Sequence, residues 1–196
     1  MRSRAAAAIL EGAGFSQAVS MEGGIKAWQG SVAEGSPKTG MAFFSSAEKP
    51  QDLAALAWLL EEGTRTFYER LIPSIGDRDA AELLGQLGRA EEHHKSMLAE
   101  FYREFAGAEF VPPSQTAKEV VMEGGLSIEK ALSWSEGKKI ADILDLLMSL
   151  ETNAYDLYIR MQRSLSDERG KKVFEVLSRE EHHHLERLGA MLEKRV

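Results

Sequence analysis

An all-α four-helix bundle made of two repeated helical hairpins is the fold class that three features of this 196-residue sequence predict. After Pro50, long stretches carry apolar residues at helical spacing. An interval of about 30 residues, Gly107 to Glu136, separates these stretches into two pairs, too long for an ordinary turn between antiparallel neighbours. A shift of 90 residues superposes one pair on the other.

In chain order, residues 1–35 are rich in Ala and Gly, and residues 36–50, with Gly35 just before and Ser36, Pro37, Gly40, Ser45, Ser46 and Pro50 within, read as a linker. The bundle then occupies residues 51–196. Its first helix spans Asp52 to Ile72, with Leu53, Ala57, Leu60, Tyr68 and Leu71 on one stripe, and Pro73 and Gly76 end it. Asp77 or Asp79 can cap a second helix, about Asp79 to Phe105. The interval that follows holds Pro112, Pro113, Gly124 and Gly125, with room for a short helix around Ser127 to Leu132. A third helix covers roughly Gly137 to Arg163, and a fourth Asp167 to Lys194 with Asp167 as N-cap. Two hairpins joined by one long crossover is the ferritin-like form of the four-helix bundle.

The repeat is specific. Ala57 to Leu98 aligns with Leu147 to Leu188 without a gap, with 12 identities in 42 positions. Random pairing would give roughly 3. Glu61 meets Glu151, Tyr68 meets Tyr158, Asp77 meets Asp167, Glu91 meets Glu181 and His94 meets His184. All five histidines lie in two clusters, His93-His94 and His182-His183-His184. The second cluster allows two Glu-x-x-His pairs, Glu180 with His183 or Glu181 with His184, but Ala90 stands at the repeat position of Glu180. Only Glu91 with His94 therefore maps onto a pair, Glu181 with His184. Leu87, Glu91, His94 and Leu98 share one helical face, as do Leu177, Glu181, His184 and Leu188.

Glu and His three apart on a helix can reach one metal ion from one side. Two such pairs, with one further carboxylate from each remaining helix, make a di-metal site. Glu61 and Glu151 are those carboxylates, each on the apolar stripe, where an unpaired charge would cost several kcal/mol. The candidate metal-binding and catalytic residues are thus Glu61, Glu91, His94, Glu151, Glu181 and His184. His93, His182 and His183 fall off the stripe and read as solvated surface. Tyr68 and Tyr158 read as core aromatics with a satisfied hydroxyl.

Composition removes other classes. With no cysteine there is no disulfide, thiolate zinc site, iron–sulfur centre or cysteine nucleophile. The net charge of −7 argues against nucleic acid as a partner. No apolar run approaches the ~20 residues of a membrane span, and Arg2-Ser3-Arg4 with Ala5 to Leu10 is too short for a signal peptide, so a cytoplasmic location is expected.

Leu60-Glu61 through Phe67-Tyr68, Ala90-Glu91-Glu92-His93-His94, Met122-Glu123-Gly124-Gly125-Leu126, Leu150-Glu151 through Leu157-Tyr158, and Glu180-Glu181-His182-His183-His184-Leu185 resemble the rubrerythrin and ferritin-like di-iron family over residues of about 50–194. The resemblance implies two Fe ions, with Mn or Zn as substitutes. Glu91 and Glu181 bridge them, Glu61 and Glu151 bind terminally, and His94 and His184 each cap one ion. It further implies an oxidoreductase that reduces hydrogen peroxide or reacts with dioxygen in oxidative-stress defence, and a homodimer. Metal storage without turnover and a purely structural module are the competing expectations. Two departures matter: rubrerythrins carry a cysteine-bound iron that relays electrons, absent here, and a further Glu where this chain has Ala154. An external electron-donor protein is therefore expected.

Arg2-Ser3-Arg4-Ala5-Ala6-Ala7 through Gly12-Ala13-Gly14-Phe15, then Met21-Glu22-Gly23-Gly24-Ile25-Lys26-Ala27-Trp28, is similar to the last third of a rhodanese domain. Residues 1–35 are expected to be a small, incomplete α/β fragment of that kind. Lacking the catalytic cysteine, it is not expected to transfer sulfur.

Overall fold

The computed structural model describes residues 49–112 and 120–195. The expected rhodanese-like fragment, and the linker up to residue 48, lie outside the described residues. Five α-helices make up the described part: α1 (Pro50–Leu71), α2 (Arg78–Ala106), α3 (Ile128–Ser135), α4 (Ile140–Ser164) and α5 (Glu168–Glu193). There are no strands among the described residues, only an isolated bridge between Val121 and Ser127.

Local chemistry sets the ends. Pro50 opens α1, where its missing N–H costs nothing, and Pro73 closes it into a short 3-10 turn, Ile72–Ser74. Asp77, rather than Asp79, caps α2 by accepting from the Ala80 N–H at 2.9 Å, and its repeat partner Asp167 caps α5 from the Gly170 N–H at 2.6 Å. The left-handed Gly107, at φ 63°, ends α2. The third long helix begins later than the expected Gly137: α4 starts at Ile140, because Gly137 takes φ 69° and Lys138 N–H bonds back to the Ser135 carbonyl, finishing α3. Ser127 is the N-cap of α3, which runs three residues beyond the expected Leu132.

α1 packs along α2 and α4 along α5, as the two hairpins require. The apolar interior falls into two clusters. One contains Phe67, Leu87, Leu150 and Leu188, and the other Leu60, Leu98, Ala154 and Leu177. On each of the four long helices these residues bracket acidic or histidine positions, so a polar layer is sealed between two apolar ones. Fully burying each of these leucines contributes roughly 1.5–3 kcal/mol. Among the described residues no helix is long and apolar enough to cross a membrane.

Asp77 also ties the turn of the first hairpin to the end of α5, because Arg195 grips both of its oxygens at 2.7 and 2.8 Å. The Arg195 guanidinium, with the Ala80 N–H, holds the Asp77 carboxyl down at about 2. A carboxyl lower in the folded than in the unfolded chain stabilises fully above its unfolded value of about 3.9 and loses this as pH falls through the folded one. Asp77→Ala is therefore expected to lower stability by about 1 kcal/mol through the cap alone at pH 6. Urea denaturation of metal-free protein should show the gap between variant and wild type closing between pH 4 and pH 2.

Candidate metal centre

Each long helix delivers its residues to the polar layer. Glu61 on α1, Glu91 and His94 on α2, Glu151 on α4, and Glu181 and His184 on α5 are all buried, with at most 4% of their surface exposed. The structure thus brings together every one of the six positions expected from the repeat. Their donor atoms form two sets, Glu61, Glu91, His94 and Glu181, and Glu91, Glu151, Glu181 and His184, within each of which all atoms lie within 4.8 Å of one another. Glu91 and Glu181 belong to both.

The two halves are related as the sequence repeat is. His94 Nδ1 lies 3.4 Å from Glu61, 3.0 Å from Glu91 and 3.1 Å from Glu181. His184 Nδ1 lies 3.2 Å from Glu151, 3.2 Å from Glu181 and 3.7 Å from Glu91. The two imidazoles stack with centroids 5.5 Å apart. The hydroxyls cross between hairpins: Tyr68 donates to Glu151, and Tyr158 donates to Glu61. Burial beside these carboxylates pushes both phenols well above their ordinary range, so they remain donors. Glu151 and Glu61 are therefore each held by a tyrosine of the opposite hairpin.

Four carboxylates face two imidazoles in the buried layer. Burial, then Glu61 and Glu181, raise Glu91 well above the carboxylate range. Burial and Glu151 raise Glu181 to about 7. Burial opposes ionisation of Glu61 and Glu151 too, but His94 holds the first below its ordinary value, and bonds to Glu181 and His184 hold the second at about 2. The imidazoles answer in kind. Burial disfavours their charge, yet Glu61 and its neighbours hold His94 well above the usual range, and Glu151 and Glu181 bring His184 to about 11. Both oxygens of Glu91 and Oε1 of Glu181 are buried without a hydrogen-bond partner. Orphaned carboxylate oxygens converging with imidazole nitrogens fit divalent first-row metals such as iron, manganese or zinc.

Two acidic residues beside the centre were not among the expected ligands. Glu180, passed over as a ligand, is one-third exposed and accepts from His94 Nε2 at 2.8 Å, which leaves Nδ1 facing the carboxylates. Ala90 at the equivalent position means His184 has no such carboxylate on its side of the repeat. Glu123, from the crossover, is 2% exposed and accepts from the Thr64 hydroxyl. Glu123 lies in one of the segments that resemble the family, but its two following glycines signal a turn more readily than a buried acid. His93, His182 and His183 are exposed, as expected.

One Glu from each of two helices and a Glu-x-x-His from each of the other two, projecting into a bundle with a long crossover, define the ferritin-like class of carboxylate-lined bundles. Within that class the chain belongs to the rubrerythrin family, whose model it matches over residues 52–192. It is also similar to the solved structure of a hypothetical protein from Pyrococcus furiosus, at 26% identity and a TM-score of 0.56, over 74% of this chain and 89% of that one. No curated protein matches it.

Proposed function

We propose that this protein binds two iron ions at the six-residue centre and reduces hydrogen peroxide, or reacts with dioxygen, with electrons from a separate donor protein. The observation that carries the reading is the sharing of Glu91 and Glu181 between two buried donor sets, which suits a pair of ions held side by side. Glu91 and Glu181 would bridge, Glu61 and Glu151 would bind one ion each, and His94 and His184 would complete the two sets. A ferrous pair held there would supply two electrons, one from each ion, which with two protons reduce one peroxide to two waters.

The chain's own residues do the rest. Tyr68 and Tyr158 fix the terminal carboxylates by their hydroxyls, and Glu180 fixes the ring of His94. The leucine layers on either side exclude bulk water, which strengthens every charge interaction between them. Without a cysteine, the chain has no iron–thiolate relay, so the electrons must come from outside.

The test is peroxide consumption by reduced, iron-loaded protein supplied with an artificial donor. Turnover should exceed that of a Glu91→Ala, Glu181→Ala variant by well over tenfold; an equal rate would overturn the proposed activity. Elemental analysis after iron-replete growth should find two ions per chain.

A further inference from the structure

We infer that Glu123, carried in by the crossover, is a seventh ligand of the centre, binding through Oε1 the ion held by Glu61, Glu91, His94 and Glu181. This rests on the di-metal reading above.

The crossover does not merely span the bundle. Between Val121 and Ser127 the chain folds back on itself, with Met122 N–H bonded to the Leu126 carbonyl and Gly125 N–H to the Met122 carbonyl, each at 2.9 Å. Glu123 sits in that turn. Two close approaches seat it in the bundle. A Cβ on Gly63 of α1 would lie 2.2 Å from the Val121 carbonyl oxygen, and a Cβ on Gly124, at φ +79°, would lie 2.4 Å from Asn153 Nδ2 of α4. Gly63 and Asn153 are equivalent positions of the repeat, each two residues after a terminal carboxylate, Glu61 or Glu151. The turn is thus wedged beside the metal layer at matching points of both hairpins.

The side chain is then oriented. Thr64 donates to Oε2 of Glu123, while Oε1 is buried with no hydrogen-bond partner. Burial first, then the like charge of Glu61, Glu91 and Glu181, opposes its ionisation. A purely structural acceptor for Thr64 would be served by glutamine, without that repulsion. Glu123 stands outside the two close donor sets, but a buried carboxylate with one anchored and one free oxygen, in a turn wedged beside them, is suited to reach a cation there. Ala154, small and buried at the repeat position of Thr64, offers no such anchor on the other side, so the extra ligand serves one ion only.

The experiment is titration of the full chain, stripped by chelator, with Mn(II) followed by electron paramagnetic resonance, and with Co(II) followed by visible absorption. Wild type should take up two ions. Glu123→Gln should weaken one of them by ~10-fold or more and alter its cobalt spectrum, leaving the second ion unchanged. Glu61→Gln should weaken the same ion, and Glu151→Gln the other. Metal-free Glu123→Gln should melt no lower than wild type, because glutamine still accepts from Thr64 and removes the cost of burying an acid beside other acids. If that variant does not fold, Thr64→Val, which frees Oε2 but keeps the carboxylate, should change the spectrum of the same ion. Two ions bound by Glu123→Gln with wild-type affinity and spectrum would overturn the inference alone. Fewer than two ions in wild type would sink the di-metal reading, and this one with it.

Discussion

Glu91→Gln and Glu181→Gln will each weaken both metal ions at once, whereas Glu61→Gln and Glu151→Gln will each weaken one. The first pair belongs to both donor sets and the second pair to one set apiece. An ion at a concentration 1,000-fold above its Kd stabilises the folded chain by about 4 kcal/mol, so two ions raise the melting point far above that of metal-free protein. A shared-carboxylate variant loses most of that rise. In the metal-free protein the sign reverses, since Glu91 lies buried among carboxylates that push it well above the ordinary range, and its removal relieves repulsion. Thermal melts with and without metal should therefore cross: variant at or above wild type without metal, well below it with metal. Loading should also strengthen with pH, because His184, held near 11 by its carboxylates, must give up a proton to bind. Equal losses from all four substitutions, or affinity that falls as pH rises, would refute the shared-bridge arrangement.

Gly63→Ala will destabilise the bundle by overpacking it against the crossover. Alanine favours a helix interior over glycine by about 1 kcal/mol, so at an open helical position the change would help. At Gly63, however, the added carbon would sit 2.2 Å from a backbone oxygen of the crossover, and neither backbone can yield cheaply. Overpacking of this kind costs typically 1–3 kcal/mol or more, leaving a net loss of about 2 kcal/mol and a melting point lower by roughly 4–8 °C. Gly88 on α2 is the control. Its Cβ would meet only Tyr68 Cβ at 3.9 Å, an ordinary contact, so Gly88→Ala should be neutral or stabilising. Differential scanning calorimetry of both variants separates the two cases; a stabilised Gly63→Ala protein would mean that the crossover is not seated against α1.

Much of this arrangement is written in local order. Leu87, Glu91, His94 and Leu98 recur as Leu177, Glu181, His184 and Leu188, and helical geometry obliges such residues to share a face. The preference for Glu181 and His184 over Glu180 and His183 needed only the repeat, and their burial agrees with it. Glu61 and Glu151 could be chosen because an acid on an apolar stripe requires a partner. The start of α4 was less legible, since a left-handed Gly137 and a closing turn belong to no periodic pattern.

Spacing along single helices thus fixes the helical hairpin unit, its duplication and the six inward polar positions. Only the tertiary structure decided the contacts between segments distant in the chain: Tyr68 on Glu151, Tyr158 on Glu61, Glu180 on His94, and Glu123 beside the centre. Periodicity tells which way a side chain faces on its own helix. Which group meets it there depends on how the hairpins and the crossover pack, through close approaches such as that at Gly63 that no local pattern encodes.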